Sequence, residues 1–144
     1  MVIGMTKDVL IAIKGMQFEG AEDAEEIEVI QRGQYYQKNG AHYLLYEEPI
    51  EGSADIIKNR IKFREDEVQV AKKGAVNTTL TFKKNEKNMT NYATPYGNLL
   101  IGIDTQAINL ELTEKKMDIH VDYALDINYE FLADCKISIA VTAL

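Results

Sequence analysis

Gln34-Tyr35-Tyr36-Gln37-Lys38-Asn39-Gly40-Ala41-His42-Tyr43-Leu44-Leu45-Tyr46-Glu47-Glu48 is the stretch whose reading decides the fold. Asn-Gly between two β-rich runs is the strongest short hairpin cue, because a type I′ turn demands positive φ at both central residues and these two residues tolerate it. Lys38-Asn39-Gly40 therefore predicts a tight turn between a strand over Glu25 to Gln37 and a return strand over Ala41 to Glu48, with Pro49 at its end. Gly33 interrupts the entering strand, where a bulge or sharp bend is expected.

The same period of two extends in both directions. Upstream, Val9, Ile11 and Ile13 alternate with Asp8, Ala12 and Lys14, and turn residues follow from Glu19 to Asp23. Downstream, Ser53 to Arg64 admits two readings. As a helix capped by Ser53 it would carry a stripe of Ile56, Ile57 and Ile61. As a strand it puts Ile57, Ile61 and Phe63 on one side and Lys58, Arg60, Lys62 and Arg64 on the other, which accounts for more residues. The strand is preferred. Glu65-Asp66-Glu67 turns into Val68 to Lys73, Gly74 closes a hairpin into Val76 to Lys84, and Lys84 to Asn88 is polar and turn-like. Asn88 to Thr94 leads into the turn Thr94-Pro95-Tyr96-Gly97-Asn98. Leu99, Ile101 and Ile103 form one alternating run, and Ile108, Leu110 and Leu112 the next. Beyond Glu114-Lys115-Lys116, Ile119, Val121, Tyr123, Leu125 and Ile127 alternate with His120, Asp122, Ala124 and Asp126, and the last strand runs through Cys135, Ile137, Ile139 and Val141. About ten short strands with regular turns imply an all-β sandwich or barrel. Closure removes the exposed edges, so the expectation is one closed antiparallel β-barrel of about 8–10 strands over residues 1–144.

Composition agrees. Ile, Val, Thr, Tyr and Phe make up 45 of the 144 residues, and these types fit a pleated, half-buried surface. A chain of this length with 46% hydrophobic residues and 1 Cys is neither a disordered tail nor a disulfide scaffold. With 16 Lys+Arg against 23 Asp+Glu the net charge is −7, which argues against a nucleic-acid partner. The charge is uneven: Lys58 to Lys87 holds nine basic and four acidic residues, so that stretch is +5 and the remainder −12. Cys135 forms neither an intrachain disulfide nor a cysteine zinc site, and it reads as a buried structural thiol. The longest apolar run near the start, Val9 to Ile13, is far short of the ~20 residues of a membrane span. No signal-peptide layout precedes it. The sequons at Asn77 and Asn88 read as chance, and the expected address is the cytoplasm, with no membrane partner.

The catalytic inventory is thin. His42 follows the Asn-Gly turn, and His120 shares a charged face with Asp122 and Asp126, where His120 and Asp122 would most simply be solvated. Ser occurs only at positions 53 and 138, and no phosphate loop, G-x-S-x-G elbow or H-E-x-x-H motif is present. No catalytic residue, metal ligand set or cofactor is singled out. More informative are polar residues on faces that should be inward. Glu48 shares the parity of Leu44 and Tyr46, Lys72 shares that of Val68 and Val70, and Thr90, Tyr92, Thr94 and Tyr96 share one face. Inside a barrel, Glu48 and Lys72 would be costly unless paired with each other or with a ligand; at strand ends they would instead reach water at the barrel rim with only their stems covered. Tyrosines offer an apolar body with a hydroxyl handle, which suits a small-molecule cavity. The basic row Lys58, Arg60, Lys62 and Arg64 would instead attract an anionic partner or discourage edge aggregation.

Gly33-Gln34-Tyr35-Tyr36, Tyr43-Leu44-Leu45-Tyr46-Glu47-Glu48, Lys73-Gly74-Ala75-Val76 and above all Thr90-Asn91-Tyr92-Ala93-Thr94-Pro95-Tyr96-Gly97 give the chain a resemblance to the YwiB-like bacterial proteins, over nearly its whole length and in the same order. The resemblance implies a calycin-like (lipocalin-like) β-barrel from a bacterium. It assigns no catalytic or binding residue. One departure matters: the family pattern has Arg two residues before the hairpin glycine, where this chain has Lys72, a point charge in place of a fork of donors. Two functions follow. The first is a cytoplasmic barrel holding a small amphipathic or anionic molecule in its interior through Tyr46, Glu48, Lys72, Thr90, Tyr92, Thr94 and Tyr96. The second is a non-enzymatic interaction protein that docks a partner, or a second copy as a homodimer, on the basic row.

Overall fold

The computed structural model describes residues 7–15, 28–50, 52–74, 77–94 and 97–144, with Thr94 given by its backbone alone. Ten strands follow one another: β1 (Lys7–Lys14), β2 (Glu28–Lys38), β3 (Ala41–Pro49), β4 (Ile56–Phe63), β5 (Glu67–Gly74), β6 (Thr78–Lys83), β7 (Lys87–Thr94), β8 (Gly97–Leu112), β9 (Lys116–Ile127) and β10 (Glu130–Ala143). Their order in the sheet is β6-β5-β4-β3-β2-β1-β10-β9-β8-β7. Each strand therefore lies beside its sequence neighbour, and the β1–β10 ladder, from Val9↔Ala143 to Lys14↔Ser138, bends the sheet round into a barrel. Where β6 meets β7 a side chain replaces the ladder: the Thr90 hydroxyl donates to the Thr79 carbonyl at 3.0 Å. The barrel is thus nearly closed, with one seam.

The Asn-Gly turn forms as expected, while the polar stretch over Lys84 to Asn88 is shorter than read, since β7 starts at Lys87. Asn39 (φ 52°) and Gly40 (φ 77°) both take the left-handed region, and the β2–β3 ladder opens from Lys38↔Ala41. Ser53 to Arg64 resolves as the strand β4, and Ser53 accepts a turn bond from the Asp55 amide at 3.0 Å. The turn at Glu19–Asp23, the expected strand start over 25–27, and Val76, Pro95 and Tyr96 lie outside the described residues.

Two local expectations need correcting. Of the bulge or sharp bend expected at Gly33, the bulge is absent: the β1–β2 register runs unbroken through Val9↔Gly33. What changes there is the other side, since the β2–β3 ladder stops at Gln34↔Leu45. The two runs read over Leu99–Ile103 and Ile108–Leu112 are one strand, β8. A bulge between Thr105 and Ala107 inserts an extra residue and flips the parity, so odd-numbered Ile103 and even-numbered Ile108 both point inward.

The core is built in layers across β3–β6. His42, Phe63, Val68 and Phe82 sit side by side in one layer, and Leu44, Ile61, Val70 and Leu80 in the next. All eight are buried. From the opposite wall Ile11, Ile119, Val121, Tyr123 and Ile139 close against them, and Phe82 meets Tyr123 edge-on with ring centroids 5.0 Å apart. The middle of the barrel is therefore filled by side chains, as expected when a small barrel has a packed interior.

Candidate functional site

The third layer breaks the apolar pattern. Tyr46, Asn59, Lys72 and Thr78 are aligned in register across β3, β4, β5 and β6, one step beyond the Leu44 layer and toward the end where β3 finishes. The Lys72 ammonium donates to Glu48 Oε1 at 2.8 Å and to Asn59 Oδ1 at 2.9 Å. The Asn59 amide nitrogen donates to the same Glu48 oxygen at 2.7 Å. These three side chains form a closed triangle. An amide suits its centre because it presents a donor and an acceptor at once, one for the carboxylate and one for the ammonium. Asn59 is 2% exposed, whereas the side chains of Lys72 and Glu48 keep 20% and 34% of their surface. The cluster is anchored from below and open from above. In the same layer the Tyr46 side chain is nearly buried, and burial first, then the Glu48 charge, push its pKa well above the ordinary tyrosine range. The hydroxyl stays protonated and able to donate.

Of the expected binding residues, then, Tyr46, Glu48 and Lys72 come together at the mouth of the barrel. Tyr92 packs against the core half-buried on β7, and Thr90 commits its hydroxyl to the seam. The Thr94 side chain and Tyr96 lie outside the described residues. Asn59 was missed, although its place between Ile57 and Ile61 at a spacing of two already put it on the inward face.

A second feature adjoins the cluster. Beyond Gln34↔Leu45 the strands β2 and β3 splay, and the wall opens into a cleft of about 520 Å³ whose lining includes Asp8, Arg32, Gly33, Tyr46, Glu47, Lys58 and Asn59. Gly33 stands at its narrow end. A Cβ there would lie 2.5 Å from the Leu45 carbonyl oxygen and 2.6 Å from Ile11 Cδ1, so the two backbones approach as closely as they do only because position 33 has no side chain. Arg32 was not singled out from sequence; it sits on the outward parity of β2, where a lone basic residue carries no signal.

The remaining chemistry-bearing residues are dispersed. At the opposite end of the barrel Tyr35 OH and His42 Nδ1 are 2.7 Å apart, and the imidazole stacks on Phe63 at 4.8 Å. Burial lowers the His42 pKa below its usual value, which keeps the ring neutral. His120 contacts Ser138 Oγ at 3.1 Å rather than Asp122. Among the described residues no group of three or more His, Cys, Asp or Glu is placed to hold a metal ion. Cys135 is half-buried opposite Tyr123, and burial raises its thiol pKa. Lys58, Arg60, Lys62 and Arg64 do face outward, and none is in an ion pair among the described residues. Lys62 lies 5.9 Å from the Tyr43 ring, which stacks on Tyr36 at 4.7 Å.

Comparison with known proteins points one way. Residues 11–139 match the model of DUF1934, a domain of unknown function. The chain is 31% identical over 106 residues, 74% of its length and 73% of the relative's, to the "Uncharacterized beta-barrel protein YwiB" of Bacillus subtilis (strain 168). The crystal structure of the ywiB protein from Bacillus subtilis superposes with a TM-score of 0.78 at 24% identity, covering 96% of this chain and 93% of that one. Among the described residues no helix is long and apolar enough to cross a membrane.

Proposed function

The chain belongs to the DUF1934 family of β-barrel proteins, and on that premise we propose that it binds a small amphipathic or anionic molecule at the mouth of the barrel. The observation that carries this reading is the Glu48–Asn59–Lys72 triangle beside Tyr46. Asn59, the buried member of the triangle, takes an inward position that an apolar residue fills in the layers below, and it spends its donor and acceptor holding two charges at the opening. Here polar groups replace the third layer beside an open cleft that touches two of the same residues, Tyr46 and Asn59. The apolar layers beneath leave the axis filled, so the ligand sits at the mouth and wall rather than deep inside. Lys72 supplies a cation, Tyr46 a hydroxyl donor, and Glu48 holds the ammonium in place.

Native mass spectrometry of freshly purified protein tests this. A co-purifying small molecule should be present, and Lys72→Met or Tyr46→Phe should deplete it while the protein stays folded. The absence of an adduct, or an adduct indifferent to both substitutions, would refute the proposal.

The outward row Lys58, Arg60, Lys62 and, just past the end of β4, Arg64, in no ion pair among the described residues, favours a second reading, docking of an acidic partner on the β4 face. Such an association would weaken with salt and disappear in a Lys62→Glu, Arg64→Glu double variant; pull-downs indifferent to both would remove it.

A further inference from the structure

We propose that the wedge between β2 and β3 takes a short zwitterionic peptide, about three residues long, as an added strand. This deepens the binding reading above by naming its ligand class, and rests on it. The argument begins with register. Had the β2–β3 ladder continued past Gln34↔Leu45, Gly33 would face Tyr46 and Arg32 would face Glu47. Arg32 and Glu47 would then be opposite charges on one rung, as Glu47 and Lys58 are on the β3–β4 ladder. Yet among the described residues neither Arg32 nor Glu47 is in an ion pair, and the same is true of Asp8 and Lys58 beside them. The two lips of the wedge therefore each carry one cation and one anion: Arg32 with Asp8 on the β1–β2 side, Glu47 with Lys58 on the β3–β4 side.

The backbone adds the second half. Residues 28–33 of β2 pair with β1 and residues 46–49 of β3 pair with β4, but the two stretches have no ladder to each other. Alternate residues of a strand turn both N–H and C=O to the same side, so each lip presents main-chain donors and acceptors to the cleft. Unpaired edges of this kind are templates for an incoming strand. A zwitterionic peptide matches both features. Its amides complete the two edges, its carboxylate meets the planar fork of Arg32, and its ammonium meets Glu47 on the other lip. The free stretch of β3 is about 13 Å long at a rise of about 3.3 Å per residue, and an extended tripeptide spans about 10 Å. Gly33 makes the narrow end of the wedge blind, which limits length. The volume of about 520 Å³ suits a ligand of this size.

The test is an amide NMR titration of the full chain with trialanine and with its N-acetylated, C-amidated form. Trialanine should shift the amides of Arg32, Gly33, Tyr46 and Glu47 saturably. Blocking both termini, or the exposed-residue variant R32Q, should weaken binding at least about tenfold. Absence of saturable shifts at these amides up to about 10 mM trialanine overturns the proposal, as does equal binding of the blocked peptide and undiminished binding by R32Q. If trialanine is silent while a Lys72-dependent adduct is seen by native mass spectrometry, the peptide inference falls and the mouth site stands. If both are silent, both fall.

Discussion

Replacing Gly33 with Ala tests the close approach at the narrow end of the wedge. In an ordinary strand this substitution stabilises, by about 0.5–1 kcal/mol, because glycine loses more backbone freedom on folding. Here the new methyl would meet the Leu45 carbonyl oxygen at 2.5 Å, Ile11 Cδ1 at 2.6 Å and Tyr46 Cβ at 3.3 Å. Ile11 Cδ1 is the end of a side chain and can rotate away. The Leu45 carbonyl cannot, because Leu45 belongs to the last rung of the ladder, Gln34↔Leu45. Relief requires β2 and β3 to separate one rung earlier. Overpacking of a well-filled site costs about 1–3 kcal/mol; set against the usual gain, the net is about 1–2 kcal/mol of destabilisation. For a chain of this length that lowers Tm by about 3–8 °C. Urea unfolding followed by tyrosine fluorescence, which the absence of Trp leaves unobscured, should show a lower midpoint at unchanged slope. A Gly33→Ala protein as stable as its parent, or more stable, would show that Leu45 does not crowd this position.

Three further outcomes are expected. His42 has a folded-state pKa below 6.5, so the unfolded chain takes up the proton first: its contribution to stability is whole above pH 6.5 and is lost as pH falls from there through the lower folded value. Urea midpoints measured downward from neutral pH should show this loss, and His42→Phe should flatten it. In the mouth triangle, Glu48→Gln and Lys72→Met should couple by about 0.5–1 kcal/mol in a double-mutant cycle, since both groups remain partly exposed; Asn59→Ala should destabilise more than either, because it leaves both charges short of a partner at a buried position. Cys135 should react with iodoacetamide more slowly than a free thiol, and unfolding should restore the rate, because burial raises its pKa in the folded barrel.

Much of the architecture was legible because period two is a local signal. The Asn39-Gly40 turn and the strand over Ile56–Phe63 could be read from neighbours a few residues apart. The parity change between Ile103 and Ile108 was visible, but it looks the same whether a chain break or a bulge causes it; only the partner strand β9, running unbroken past both, distinguishes them. Parity also put Tyr46, Glu48 and Lys72 on the inward face, yet the triangle needed Asn59, a residue that parity places equally well and that alternation alone does not mark as special. The wedge was not legible at all. Where two strands stop pairing depends on how far the sheet must twist to bring β1 against β10, and that is a property of all ten strands together.

The β1–β10 ladder also shapes how the chain reaches its native state. Every other ladder joins consecutive strands, so hairpins can zip from their turns, but Val9↔Ala143 must close a loop of nearly the entire chain. The entropic penalty of that closure is about 4 kcal/mol, incurred before any β1–β10 rung forms. Leu144 already donates its amide to the Asp8 carbonyl at 3.1 Å, which brings the C-terminal residue to β1. A circular permutant in which a short linker joins Leu144 to Lys7 in place of residues 1–6, reopened at the β6–β7 turn, Lys84–Glu86, would list its strands in their spatial order from β7 through β10 and β1 to β6. The same barrel would then form from local pairings alone, and by the dependence of folding rate on sequence separation it should fold faster than the natural connectivity.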